Sequence, residues 1–302
     1  MTAAVLVIGI AFRMATPFLF ASLGEMFSQR SGVFNLGVEG IMMLGAFSAF
    51  YVVLRWESVL LGVLLALLVG AIMGLLMAIT SVTFRAAQGI AGIGFYMLGW
   101  GLSGALFRLL VGGVTTIPSM PIQRIPLLSD IPFIGTVFFH HNIFVYVAYL
   151  LVPVAWWVLF KTRWGLKVRS VGHTPEAADS LGISVARIRY QCVILGSMMA
   201  GLAGAFLSVG HSYIFADAMT AGRGFIAVAL VYFARWSPWR VLMGAFLFSM
   251  AYSFQLYIQV LGIDFPYEFA LIIPYLTVII VLALSFGRVW SPAALGKPFV
   301  RE

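Results

Sequence analysis

The sequence predicts an all-α fold, a polytopic transmembrane bundle of about eight or nine membrane segments, some of them broken or re-entrant. Of its 302 residues, 62% are hydrophobic and 9% are charged, whereas soluble domains carry about 25% charged residues. The mean hydropathy is +1.05. Apolar stretches of roughly 20 residues, long enough to cross about 30 Å of hydrocarbon, recur along the chain.

The apolar segments define one membrane domain over residues 1–302. They are residues 3–27, 40–54, 59–84, 89–111, 143–160, 190–210, 222–234, 241–262 and 266–286. Segments 40–54 and 222–234 are short for a full crossing, so we expect them to be tilted, broken or re-entrant. Counting 222–234 together with 241–262 gives eight segments.

The distribution of lysine and arginine predicts the orientation of these segments, because cytoplasmic loops are enriched in both residues. The longest polar stretch, about residues 162–189, is rich in basic residues and is predicted to be cytoplasmic. Alternating crossings then place most other basic loop residues on the same side, with only Arg55 and Arg124 clearly on the other. The N-terminus and the proline-rich segment 112–142 are predicted to lie outside, the latter as an irregular surface loop.

The cytoplasmic loop contains a short predicted helix. Thr174 is a good N-cap, and Pro175 fits the first helical position. Glu176 and Asp179 lie where the helix dipole favours negative charge, and Gly182 is placed to end the helix in a left-handed conformation. The predicted segment comprises Thr174, Pro175, Glu176, Ala177, Ala178, Asp179, Leu181 and Gly182. Since about two turns are unstable alone in water, we expect another protein surface to dock on it.

No catalytic or nucleotide-binding motif is evident in the sequence. Residues 295–298 read Leu-Gly-Lys-Pro and lack the other glycine and the Ser or Thr of a phosphate-binding loop. The Gly222-x-Gly224 pattern follows no predicted strand, which argues against a dinucleotide site. Cys192 is the single cysteine, and the four histidines are scattered, so no metal site is predicted. We therefore predict that this chain is not an enzyme.

Polar residues within apolar surroundings are the candidates for a solute path. Asn35 and Glu39 lie in a glycine-rich break between the first two segments, and non-helical backbone at that depth is tolerated only inside protein or beside a wet cavity. Gln255 and Gln259 lie one turn apart in segment 241–262 and could hydrogen-bond either a polar ligand or another helix.

Three ordered motifs resemble permease subunits of ABC importers of the simple-sugar and nucleoside class, in the branched-chain-amino-acid-type permease superfamily. The first is Gln29-Arg-Ser-Gly-Val-Phe-Asn-Leu-Gly-Val-Glu-Gly-Ile-Met, which has Gln29 where the family usually has Glu. The second is the polar loop that begins Gly165-Leu-Lys-Val-Arg-Ser-Val-Gly-His-Thr-Pro-Glu. The third is Gly222-Arg-Gly-Phe-Ile-Ala-Val-Ala, followed by Trp236-Ser-Pro.

The resemblance implies a function for the short cytoplasmic helix. It would be the coupling helix, seated in a groove of a separate cytoplasmic ATPase that binds ATP and Mg²⁺, so this chain would hold no cofactor and no metal. An extracytoplasmic solute-binding lipoprotein and a second, paralogous permease would complete the importer in a bacterial cytoplasmic membrane. The implied solute is a nucleoside or a related neutral ribosyl compound.

Other functions stay open at this point. The same motifs resemble permeases for simple sugars, and riboflavin-type solutes are a further alternative. A stand-alone secondary carrier would need inverted repeats and coupling carboxylates near the bilayer midplane. The sequence shows no repeat, and both Glu25 and Glu39 lie close to a segment boundary. An intramembrane enzyme is disfavoured because nucleophile and metal motifs are missing.

Overall fold

The computed structural model describes residues 3–124, 129, 131, 134–260, 267–284 and 291–300. The first half of the described chain forms four long helices. They are α1 (Ala3–Arg30), α2 (Val38–Trp56), α3 (Val59–Ala78), which continues as a π-helical turn at Ile79–Thr83, and α4 (Gln88–Leu110).

The second half alternates long helices with short ones. Its helices are α5 (Ile134–Phe138), α6 (Ile143–Lys161), α7 (Arg163–His173), α8 (Pro175–Ser180), α9 (Val185–Ala205), which continues as a π-helical segment at Phe206–Ser212, α10 (Arg223–Phe233), α11 (Pro238–Val260) and α12 (Tyr267–Leu284). Two two-residue strands, β1 (Gln123–Arg124) and β2 (His140–His141), pair antiparallel.

The described helices confirm a polytopic helical bundle. Seven of them are long and apolar enough to cross a membrane: α1, α2, α3, α4, α6, α9 and α11. The predicted count of eight or nine segments is not reached in the part of the chain that the structure describes. The predicted short segment 222–234 contains α10, which has 11 residues. At about 1.5 Å per residue, α10 spans roughly half of the hydrocarbon, so it is a half-length helix.

The helices divide into a buried core and a rim. α1, α2 and α9 are mostly buried, whereas most residues of α3, α4 and α6 are partly or fully exposed. The exposed side chains of the rim are largely apolar, as on α3, where Leu60, Leu64 and Leu68 are each more than half exposed. A rim of this kind suits lipid or a partner subunit.

The core helices approach closely because glycine lines their contacts. A methyl group added at Gly204 of α9 would overlap the carbonyl oxygen of Met42 on α2. Ala200 and Gly204, two small residues one turn apart on α9, therefore lie at a tight helix–helix contact, as is common for membrane helices.

The predicted external loop 112–142 is more ordered than expected where the structure describes it. Besides the β1–β2 pair and α5, the Ile117 backbone N–H donates to the Tyr213 carbonyl oxygen at 2.9 Å. Ile117 is buried. One apolar side chain and one backbone hydrogen bond thus anchor the loop to the segment that follows α9.

Candidate functional site

The short helix predicted in the polar loop forms where the sequence predicts it, as α8 at Pro175–Ser180. It ends in a Schellman motif: the Gly182 N–H donates to the Asp179 carbonyl at 2.9 Å, and the Ile183 N–H donates to the Ala178 carbonyl at 3.0 Å. Gly182 has φ of 78°, the left-handed conformation that this motif requires. The C-terminal end of α8 is therefore fixed by the backbone itself.

The N-terminal end of α8 differs from the expectation in one respect. Thr174 occupies the N-cap position, but its side chain makes no capping hydrogen bond. Its backbone instead joins two helices. The Thr174 N–H donates to the Ser170 carbonyl in α7 at 2.9 Å, and the Thr174 carbonyl accepts from the Ala178 N–H at 3.1 Å. Pro175 takes the first helical position, as predicted.

α8 presents one face to the protein and the other to solvent. Pro175 and Ala178 are buried, whereas Glu176 and Ala177 are exposed. Leu181, directly after the helix, is 81% exposed. An exposed leucine beside a helix that cannot stand alone is the arrangement expected of a surface that docks into a partner's groove.

α7 connects α8 to the end of the first long helix. A methyl group at Gly172 of α7 would overlap the carbonyl oxygen of Arg30, the last residue of α1. On the other side, the Gly172 carbonyl accepts from the Ala294 N–H at 3.1 Å. α7 is therefore packed against backbone on both sides, between α8 and the end of α1.

Arg189 reinforces this connection from α9. Its side chain is 1% exposed, and its guanidinium donates to the Ser31 carbonyl at 3.2 Å and to the Lys297 carbonyl at 3.1 Å. The Gly296 N–H donates to the Gly32 carbonyl at 3.1 Å. These bonds tie the C-terminal segment to the start of the glycine-rich break.

The break between α1 and α2 is held by buried polar side chains. The Asn35 side-chain oxygen accepts from the Gly37 N–H at 2.8 Å, and the Asn35 N–H donates to a Glu25 carboxylate oxygen at 3.1 Å. The same Glu25 oxygen accepts from the Gln29 side-chain amide at 3.0 Å. The backbone groups that leave the helical pattern thus find partners inside the protein, as membrane depth requires.

Glu39, at the start of α2, binds the N-terminus of the half-length helix α10. Its carboxylate accepts from the Thr220 hydroxyl at 2.6 Å, the Gly222 N–H at 2.8 Å and the Gly224 N–H at 2.5 Å. The first N–H groups of a helix lack intrahelical partners and favour negative charge. The buried carboxylate of Glu39 supplies both a hydrogen-bond acceptor and a negative charge, so it caps α10 from another helix.

The predicted path residues therefore have different surroundings. Asn35 and Glu39 are buried and bind backbone groups. Gln255 is buried within α11, and Gln259 lies one turn further along α11, with a side chain outside the described residues. Contact between any of the four and a solute stays a prediction.

Sequence reasoning did not single out Thr220 or Arg189, which help to hold this region together, and it did not predict the hydrogen bond between Glu25 and Gln29. The four-residue spacing of Glu25 and Gln29 places both on one face of α1, a pattern that could have revealed their hydrogen bond. Thr220 and Arg189 gave no comparable signal because their partners are distant in sequence.

One known protein family matches most of the chain. The family described as "Branched-chain amino acid transport system / permease component" matches residues 7–282. No solved structure matches the chain significantly.

The chain is also similar over nearly its whole length to permeases with named solutes. A guanosine ABC transporter permease of Bacillus subtilis is 35% identical over 95% of this chain and 94% of its own. A nucleoside ABC transporter permease of Lactococcus lactis is 35% identical with the same two coverages. A putative glucose ABC transporter permease of Haloferax volcanii is 37% identical over 95% of each chain.

All three organisms also hold a second, more distant relative, which in Haloferax volcanii is a glucose ABC transporter permease, 25% identical over 79% of this chain. In Bacillus subtilis it is another guanosine ABC transporter permease, 27% identical over 74% of this chain. In Lactococcus lactis it is another nucleoside ABC transporter permease, 23% identical over 80% of this chain.

Proposed function

This chain belongs to the permease family of branched-chain amino acid transport systems, and we propose that it is the transmembrane subunit of an ATP-driven ABC importer that moves nucleosides inward across a bacterial cytoplasmic membrane. The observation that carries the proposal is α8, a two-turn helix with a buried face, an exposed face and an exposed leucine. ATP and Mg²⁺ would bind to the partner ATPase.

We propose that α8 is the coupling helix and that movement passes from it into the membrane. The contact of Gly172 with the Arg30 carbonyl supports the first step, from the cytoplasmic surface to the end of α1. The bonds of Glu25 and Asn35 support the second step, from α1 into the break. The cap formed by Glu39 supports the third step, because it joins the start of α2 to α10.

The partners we propose are an ATPase, an extracytoplasmic solute-binding lipoprotein and a second permease. The pairs of relatives in single organisms support a second, paralogous permease, since two chains named for the same solute match this one at different levels. The exposed apolar rim of α3 and α4 offers surface for such a subunit.

The proposed solute class rests on the two relatives named for guanosine and for nucleosides. A neutral solute fits the break, because both oxygens of the Glu39 carboxylate already accept hydrogen bonds from the protein and need no cationic partner. A simple sugar is the second candidate, supported by the relative named for glucose. Uptake of labelled guanosine, with unlabelled glucose and unlabelled nucleosides as competitors, separates the two.

Two substitutions in α8 test the coupling role. Ala177→Glu adds a charge to the exposed face, and Glu176→Pro alters the first turn, where proline is tolerated. Both variants should fold normally and lose solute uptake. Ala86→Glu is the matched control, because Ala86 is an exposed alanine in another loop.

The readouts are uptake in cells and recovery of the ATPase with the tagged permease from gentle detergent. Loss of uptake and of ATPase recovery in the two α8 variants, but not in the Ala86 variant, supports the proposal. Full uptake in both α8 variants would overturn the coupling role. Recovery of the chain without an ATPase, with transport that persists in the absence of ATP, would favour a secondary carrier.

A further inference from the structure

A basic cavity of about 400 Å³ lies beside the coupling segment, between the end of α1 and α7. Its polar lining includes the side chains of Arg30, Arg169 and His173. The remaining described lining residues are Leu166, Ser170, Thr174, Ser291 and Pro292. No carboxylate is among these described residues.

The two arginines of the cavity share an aromatic neighbour. The guanidinium carbons of Arg30 and Arg169 lie 5.8 Å and 5.2 Å from the ring centroid of Phe160. Arg30 also donates to the Trp236 carbonyl at 2.9 Å, but Arg169 Nε is buried with no hydrogen-bond partner among the described residues. Two like charges near one ring, one with an unsatisfied donor, call for an anion.

The position of the cavity indicates where that anion comes from. Arg30 ends the first long helix, and α7 begins two residues after Lys161, the end of α6. The cavity therefore lies at the end of two predicted crossings, on the side that the basic loops identify as cytoplasmic. Leu166, 60% exposed, belongs to the same lining and offers an apolar contact that a free inorganic anion would not use.

From this arrangement we propose that the Arg30–Arg169–His173 cavity binds the phosphate group of an anionic phospholipid of the cytoplasmic leaflet. Guanidinium groups donate in a fork geometry that matches phosphate oxygens, and basic pockets at the cytoplasmic ends of membrane helices suit lipid headgroups. The Ser170, Thr174 and Ser291 hydroxyls add polar groups around the headgroup, and Leu166 contacts the acyl region. The bound lipid stabilises the α1–α7 contact through which α8 acts.

Native mass spectrometry of the purified permease tests the proposal without requiring transport. The protein is transferred from nanodiscs of phosphatidylglycerol or phosphatidylcholine, and the retained lipids are counted. We expect the wild-type chain to retain phosphatidylglycerol and not phosphatidylcholine. Arg169→Gln should weaken retention about fivefold, since one arginine near an anionic surface contributes about that factor.

Two further variants complete the lipid-binding test. Arg163→Gln is the matched control, because Arg163 is an exposed arginine at the start of the same helix and does not line the cavity. Thr174→Glu places a carboxylate in the cavity at an exposed side chain without a capping bond, so it should expel the lipid while the chain stays folded. Thermal unfolding of each variant in detergent monitors folding.

Loss of phosphatidylglycerol in the Arg169 and Thr174 variants, with retention in the Arg163 variant, supports the site. Equal loss in the Arg163 variant would mean general surface attraction and would overturn it. Displacement of the lipid by millimolar inorganic phosphate or glycerol phosphate would assign the cavity to a soluble anion instead. Loss of retention when the ATPase binds would overturn the site, because the cavity would then belong to the interface with the ATPase.

Discussion

The break between α1 and α2 and the segment around α8 are built in opposite ways. In the break, the polar side chains of Glu25, Asn35 and Glu39 are buried and bind backbone groups. In α8, only Pro175 and Ala178 are buried, and the polar side chain of Glu176 faces solvent.

The difference follows from the solvent around each region. Inside a membrane an unpaired backbone group has no water to bind, so every N–H and carbonyl of the break needs a protein partner. At an aqueous surface, water satisfies exposed groups, and side chains are free to contact another protein. We therefore expect small substitutions in the break to lower the stability of the protein. We expect substitutions on the exposed face of α8 to weaken binding to a partner.

The largest effect should come from Glu39→Ala. It leaves two backbone N–H groups and one hydroxyl without their acceptor, and we expect a loss of about 4 kcal/mol in the free energy of unfolding. Glu176→Ala, which removes a carboxylate from the surface region, should cost at most about 1 kcal/mol. Thermal unfolding of the two variants in detergent measures the contrast, and equal losses would contradict the capping role of Glu39.

Gly224→Ala tests how tightly α2 and α10 pack at the same junction, because it adds a methyl group there. The added methyl carbon would lie 2.6 Å from the Glu39 Cα and 2.7 Å from its backbone nitrogen, so α2 and α10 must separate. We expect about 3 kcal/mol of destabilisation. Gly94→Ala in α4 is the control, because no atom lies within 4 Å of its added methyl. A Gly224 variant as stable as the Gly94 variant would show that the junction is not tightly packed.

Leu181→Ala tests whether an exposed side chain next to α8 contributes to binding and not to stability. Since Leu181 is 81% exposed, its loss should change the stability of the isolated chain by less than about 0.5 kcal/mol. Affinity for the ATPase should fall by about tenfold or more, as for an anchor residue. Ile183→Ala is the converse control, because Ile183 is half-buried against the core and should affect stability. Unchanged ATPase affinity of the Leu181 variant would exclude this anchor.

The smallest effect should come from Gly182→Ala. Its added methyl meets no atom within 4 Å, so only the left-handed backbone at φ of 78° opposes it. We expect a cost of about 1 kcal/mol, with Gly182→Asn milder because asparagine tolerates this conformation. Hydrogen exchange of the amides around α8 is the readout. If the amides of both variants exchange as slowly as those of the wild-type chain, the Schellman turn does not limit opening of α8.

Much of the fold was predictable because its determinants are local. The apolar segments anticipate the helices within a few residues, and Pro175 and Gly182 bracket α8. The prediction for Thr174 was incomplete, because its side chain does not form the expected cap. The external loop is also more ordered than its prolines suggest, since it pairs with a segment that follows α9.

The amino-acid sequence by itself determined the class of protein, the location of its membrane segments and the limits of α8. Each follows from hydropathy or capping signals within a short stretch of chain. Only the tertiary structure decided what the buried polar residues do. Glu39 caps a helix 183 residues away, and Arg189 binds a carbonyl 158 residues away. Such partners depend on how whole helices pack, and no local pattern encodes that geometry.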